Sequence, residues 1–85
     1  EGLENLTQLQ SLELISNSLT KIEGLENLIQ LQYLDLGGNS IVKIEGLENL
    51  TQLQLLSLIT NESIDLKEVE QLRKALPNCE IEFYE

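Results

Sequence analysis

The sequence predicts an α/β solenoid: stacked coils with a curved parallel sheet on the concave side and short helices or 3-10 turns on the convex side. Three observations predict it. The segment Gly-Leu-Glu-Asn-Leu starts at Gly2, Gly24 and Gly46, a fixed period of 22 residues. A self-similar unit of that length cannot bury its apolar face alone and stacks with its neighbours. Within each unit an alternating Leu-x-Leu stretch gives way to Leu and Ile at a spacing near three. Alternation suits a strand, and the wider spacing suits the inward face of a turn or short helix.

The elements follow in order. Repeats span 2–23, 24–45 and 46–64, and a C-terminal cap spans 65–85. In the first unit Leu12 and Leu14 point one way and Glu13 the other. Leu19, Ile22, Leu25, Leu28 and Leu31 then continue at the wider spacing into the second unit. The frame Leu-x-x-Leu-x-Leu-x-x-Asn is filled by Leu9, Leu12, Leu14 and Asn17, by Leu31, Leu34, Leu36 and Asn39, and by Leu53, Leu56, Leu58 and Asn61. Each Asn stands where the chain leaves the strand and turns inward. A carboxamide both donates and accepts there, so a ladder of Asn17, Asn39 and Asn61 between neighbouring coils is expected.

This frame, recurring in register three times, resembles the leucine-rich-repeat family over nearly the whole chain. The 22-residue unit is most similar to the repeats of a protein phosphatase 1 regulatory subunit, of axonemal leucine-rich-repeat proteins and of bacterial internalins. That resemblance implies a horseshoe that binds proteins on its concave face.

Beyond the third Asn the period changes. Asp65 followed by Glu68 resembles a capping box, and Leu66, Val69, Leu72 and Leu76 recur at helical spacing until Pro77. Leu76, Cys79 and Ile81 repeat the frame 23 residues after Leu53. A terminal parallel strand from Glu80 to Phe83 is expected, with Cys79, Ile81 and Phe83 inward. Charges on that edge strand discourage further pairing.

Composition narrows the partner. The net charge is −10, with 5 Lys or Arg against 15 Asp or Glu. Nucleic acid and anionic membrane surfaces call for clustered cations, so neither fits. A protein partner with a basic surface does. No apolar run is long enough for membrane insertion. Cys79 is the single cysteine, which leaves no intramolecular disulfide and leans towards a reducing compartment. The chain begins without Met and inside a repeat, with no coil to cover Leu3, Leu6, Leu9, Leu12 and Leu14. A longer array is therefore expected, or self-association through this uncapped end. Of the glycosylation sequons at Asn5, Asn49 and Asn61, the first two are read as copies of the repeat and Asn61 as buried in the ladder.

By register the outward strand positions are Ser11, Glu13 and Ile15, then Tyr33, Asp35 and Gly37, then Leu55, Ser57 and Ile59, and in the cap Asn78, Glu80 and Glu82. The first two units differ at only seven positions, of which 11/33, 13/35, 15/37 and 16/38 lie on or beside this face. Tyr33 and Asp35, beside Gly37 and Gly38, are expected to form a shallow recess with an aromatic wall. The competing reading is that Tyr33 only covers its strand neighbours. Glu13, Asp35, Glu80 and Glu82 would attract Lys or Arg, or simply solvate the face. Glu4, Glu26 and Glu48, with Glu1, Glu23 and Glu45, form acidic columns on the outer wall, relieved in part by Lys21 and Lys43. A calcium site would need convergent oxygens from a dedicated loop, so no metal and no cofactor are expected. With no His and no phosphate-binding loop, no catalytic residue is assigned and an enzyme is not expected. Two functions remain: a protein-interaction module, or a scaffold or capping segment whose recognition lies elsewhere, a designed repeat array included.

Overall fold

A computed structural model describes residues 7–15 and 18–83. Strands β1 (Ser11–Glu13), β3 (Tyr33–Asp35), β5 (Leu55–Ser57) and β6 (Glu80–Glu82) form a parallel sheet in the order β1-β3-β5-β6. On the opposite wall β2 (Lys21–Ile22) pairs with β4 (Lys43–Ile44), and helix α1 (Leu66–Ala75) follows. Four strands at about 4.8 Å spacing span about 14 Å, close to the shortest principal dimension of 16 Å. The coils therefore stack along the short axis.

Stacking puts like residues in layers. Leu12, Leu34, Leu56 and Ile81 stand in one register row, and Leu34 and Leu56 have no exposed surface. Leu28, Leu31, Leu36, Ile41, Leu47, Leu50 and Leu58 are equally enclosed. Leu9, Leu12, Leu14 and Leu19 of the first coil are only half-buried. The core is thus most enclosed in the second and third coils, where a coil on each side removes the apolar surface from water, and continues into the cap through Val69, Leu72, Leu76 and Ile81.

Of the short helices or 3-10 turns expected on the convex wall, the repeats use turns. Leu28 donates its N–H to Leu25 O, Leu31 to Leu28 O, Leu50 to Leu47 O and Leu53 to Leu50 O, at 3.0–3.1 Å. Successive single turns, each closed between one inward Leu and the next, explain the spacing of three. Beside them the β2–β4 pair stacks Lys21 on Lys43, each next to its own acid: Lys21 Nζ–Glu23 Oε1 at 3.5 Å and Lys43 Nζ–Glu45 Oε2 at 3.2 Å. Glu1 and Glu4 of the acidic columns lie outside the described residues.

The cap also departs from expectation. β6 pairs Glu80 with Leu55, Ile81 with Leu56 and Glu82 with Ser57, an offset of 25 residues where the earlier pairs have 22. Ile81, not Cys79, is level with Leu56. A helix advances only about 1.5 Å per residue, so crossing the outer wall as α1 takes more residues than crossing it in turns. The shift from 23 to 25 is even, so Cys79, Ile81 and Phe83 keep their inward side. Ile81 is 7% exposed, and Cys79 and Phe83 pack half-buried on the core. Asn78, expected level with Leu55, falls before the strand.

Helix α1 is N-capped by Asp65, whose Oδ1 accepts from Lys67 N at 3.0 Å. The capping box is not reciprocal. Glu68 Oε1 instead accepts from Ile44 N at 3.1 Å, so the carboxylate caps the β4 edge in the preceding coil. Val69, Leu72 and Leu76 face the core, while Leu66, expected among them, is 40% exposed at the first helical position.

Candidate protein-interaction face

Two register rows make the outward face of the sheet. Ser11, Tyr33, Leu55 and Glu80 form one, and Glu13, Asp35, Ser57 and Glu82 the other. The backbone ladder that holds them starts before the strands: Gln10 O accepts from Gln32 N and Tyr33 N, and Gln32 O accepts from Gln54 N and Leu55 N. It continues past them, with Leu14 N donating to Asp35 O, Leu36 N to Ser57 O and Leu58 N to Glu82 O at 2.8–2.9 Å. Within the second row, strands one spacing apart keep the carboxylates of Glu13 and Asp35 adjacent. Ser57 interrupts the acidic row before Glu82.

At the centre, three residues lock together. Tyr33 Oη donates to Asp35 Oδ2 at 3.2 Å, and Gly37 N donates to Asp35 Oδ1 at 3.0 Å. Partial desolvation, the hydrogen bond to Asp35 and the charges of Asp35, Glu13 and Glu82 all raise the Tyr33 pKa, so its hydroxyl keeps the proton it donates. A Cβ on Gly37 would meet Asp35 Oδ1 and Ile59 O at 3.2 Å each. The expected recess beside Gly37 is therefore filled: the absent side chain makes room for the Asp35 carboxylate, and Gly37 is buried. The other coils carry Ser11, Glu13 and Ile15, or Leu55, Ser57 and Ile59, at these places. Three of the differences between the first two units are thus one hydrogen-bonded group.

Exposure varies along the face. Ser11, Glu13, Ile15 and Glu80 are exposed; Tyr33, Asp35, Leu55, Ile59 and Glu82 are half-buried; Ser57 is 6% exposed. Ser57 is outward by register but enclosed by its neighbours, so it offers little to a partner.

The Asn positions do structural work. Asn39 Oδ1 accepts from Leu19 N, and its Nδ2 donates to Leu14 O and Leu36 O at 2.9 Å. Asn61 Oδ1 accepts from Ile41 N, and its Nδ2 donates to Leu36 O at 2.8 Å and Leu58 O at 3.3 Å. Each carboxamide ties its own coil to the preceding one. Asn61 is 1% exposed, which keeps its sequon from any glycan in the folded state; Asn17 and Asn5 lie outside the described residues.

Burial and the nearby Glu80 charge raise the Cys79 thiol pKa, which disfavours the nucleophilic thiolate. Among the described residues no His, Cys, Asp or Glu group could hold a metal ion. Nor is any helix there long and apolar enough to cross a membrane.

A family model for two copies of leucine-rich repeats matches residues 7–47. Among solved structures, a leucine-rich-repeat protein of Leptospira interrogans superposes with a TM-score of 0.54 at 30% sequence identity. That match covers 88% of this chain and 25% of that one, so the chain spans a quarter of its length. No curated protein sequence matches the chain. Together with the parallel sheet and the repeated frame, these findings show that the chain belongs to the leucine-rich-repeat family. Domains of this family are in general protein-interaction modules without catalytic activity.

Proposed function

We propose that the chain binds a protein partner with a basic surface on the outward face of its parallel sheet, centred on Tyr33 and Asp35. The observation that carries this reading is the Tyr33–Asp35–Gly37 lock in the second of four strands. It holds an aromatic ring and a carboxylate in one orientation before any partner arrives, which lowers the ordering cost of binding. Glu13 and Glu82 flank it in the same register row and add attraction for Lys or Arg.

Titration with a short peptide rich in Arg and Lys, followed through backbone amide shifts, tests the reading. Shifts are expected to cluster at Glu13, Tyr33, Asp35 and Glu82, and to vanish in the Asp35→Asn, Glu82→Gln variant. Shifts centred on Glu26, Glu45 and Glu48 of the outer wall would contradict it. A second reading, that the segment is a scaffold with recognition carried elsewhere, draws on the same lock: both Asp35 oxygens already have partners within the chain. Under that reading the peptide moves no sheet amide.

A further inference from the structure

Among the described residues β6 is the end strand of the sheet, and an end strand exposes backbone groups that template pairing with another chain. The bonds at its two ends, Glu80 N to Gln54 O and Leu58 N to Glu82 O, turn residues 80 and 82 towards β5. In a parallel ladder alternate residues face opposite neighbours, so Ile81 turns its N–H and C=O to the open side. The guanidinium of Arg73, in the last turn of α1, lies across this side, with Nη2 donating to Ile81 O at 3.1 Å. The Ile81 side chain is buried, so the strand cannot rotate to hide its edge without losing core contact.

We propose that Arg73 is an edge guard: it occupies the outward carbonyl of Ile81 and so keeps β6 from pairing with β6 of a second copy. The second copy is the occupant the register suits. Antiparallel pairing about Ile81 would exchange both of its outward groups with the same groups of the partner, the self-complementary arrangement of a two-fold dimer. The flanking residues oppose that dimer electrostatically, because such pairing sets Glu80 against Glu82 of the other copy and like charges directly opposite are destabilising. Two devices therefore act on one edge. Salt weakens the charge repulsion and leaves the Arg73 plug, which is how they are separated.

The test is sedimentation velocity over a concentration series at low and at high salt, on the parent, Arg73→Ala and Lys74→Ala. Lys74 is the exposed neighbour on the same turn, and its loss changes the net charge equally. The expected result is a rise towards double the mass for R73A at high salt, with K74A behaving as the parent. Hydrogen exchange adds an independent reading: the Ile81 amide of R73A should be more protected at high concentration than at low. Equal masses for R73A and K74A at every salt concentration would overturn the proposal. Should R73A prove unfolded by circular dichroism, the comparison is made with Arg73→Gln, which keeps a side-chain amide too short to reach the same carbonyl. A folded R73Q with the parent's mass would equally overturn it.

Discussion

The second coil and the C-terminal coil solve the same problem with different chain. Both must set one inward residue level with the Leu34–Leu56 row, cross the outer wall and return. The second coil crosses in turns closed from Leu to Leu and meets the next strand after 22 residues. The last coil crosses in a ten-residue helix and arrives after 25. The strands still pair in register, with Ile81 completing the layer. Residue count is thus subordinate to two constraints, the side-chain layer and the backbone ladder. The regions also close their edges differently: buried Asn carboxamides tie the repeats together, while charged side chains, Glu68 and Arg73, tie the helix to its neighbours.

If the layer governs, its weight should fall from the middle of the stack to the end. Leu34→Ala, in a fully enclosed site, should cost about 3–4 kcal/mol, and Ile81→Ala in the cap about 2 kcal/mol. Urea unfolding measures both, and a cap mutation costing more than the central one would break the comparison. Of similar size to the cap mutation is Asn61→Ala, which takes the carboxamide from Ile41 N and Leu58 O and leaves Leu36 O with Asn39 alone; about 2–3 kcal/mol is expected. The half-exposed Glu68 should matter least: Glu68→Ala frees one N–H, on Ile44, and should cost about 1 kcal/mol. Amide exchange at Ile44 should quicken in that variant, and an unchanged rate would show that the carboxylate is not its cap.

Much of this was legible in the residues. Leu12, Leu34 and Leu56 announce the strands, and Asn39 and Asn61 sit where only a group that donates and accepts could serve both coils. The cap register was not legible, because Leu76, Cys79 and Ile81 imitate the Leu53, Leu56, Leu58 frame two residues out of step. Parity conceals such an error, since an even shift leaves every side chain on its own side. Glu68 misled in another way: its spacing from Asp65 fits a capping box, but a backbone N–H of β4, remote in sequence, lies in reach and takes the carboxylate. Gly37 reads as open space in sequence, yet the carboxylate two residues earlier fills it.

The same locking makes the central claim testable. Tyr33, Asp35 and Gly37 differ from Ser11, Glu13 and Ile15 as one group, so they should exchange as one group. Chemical denaturation of Gly37→Ile and of the triple variant Tyr33→Ser, Asp35→Glu, Gly37→Ile decides it. The single change drives a side chain into the Asp35 carboxylate and should cost about 1–3 kcal/mol. The triple change installs the first coil's own set and should be more stable than the single one, a coupling of about 0.5 kcal/mol or more. A triple variant as unstable as the single one, or worse, would contradict the claim that this part of the face is built as a unit.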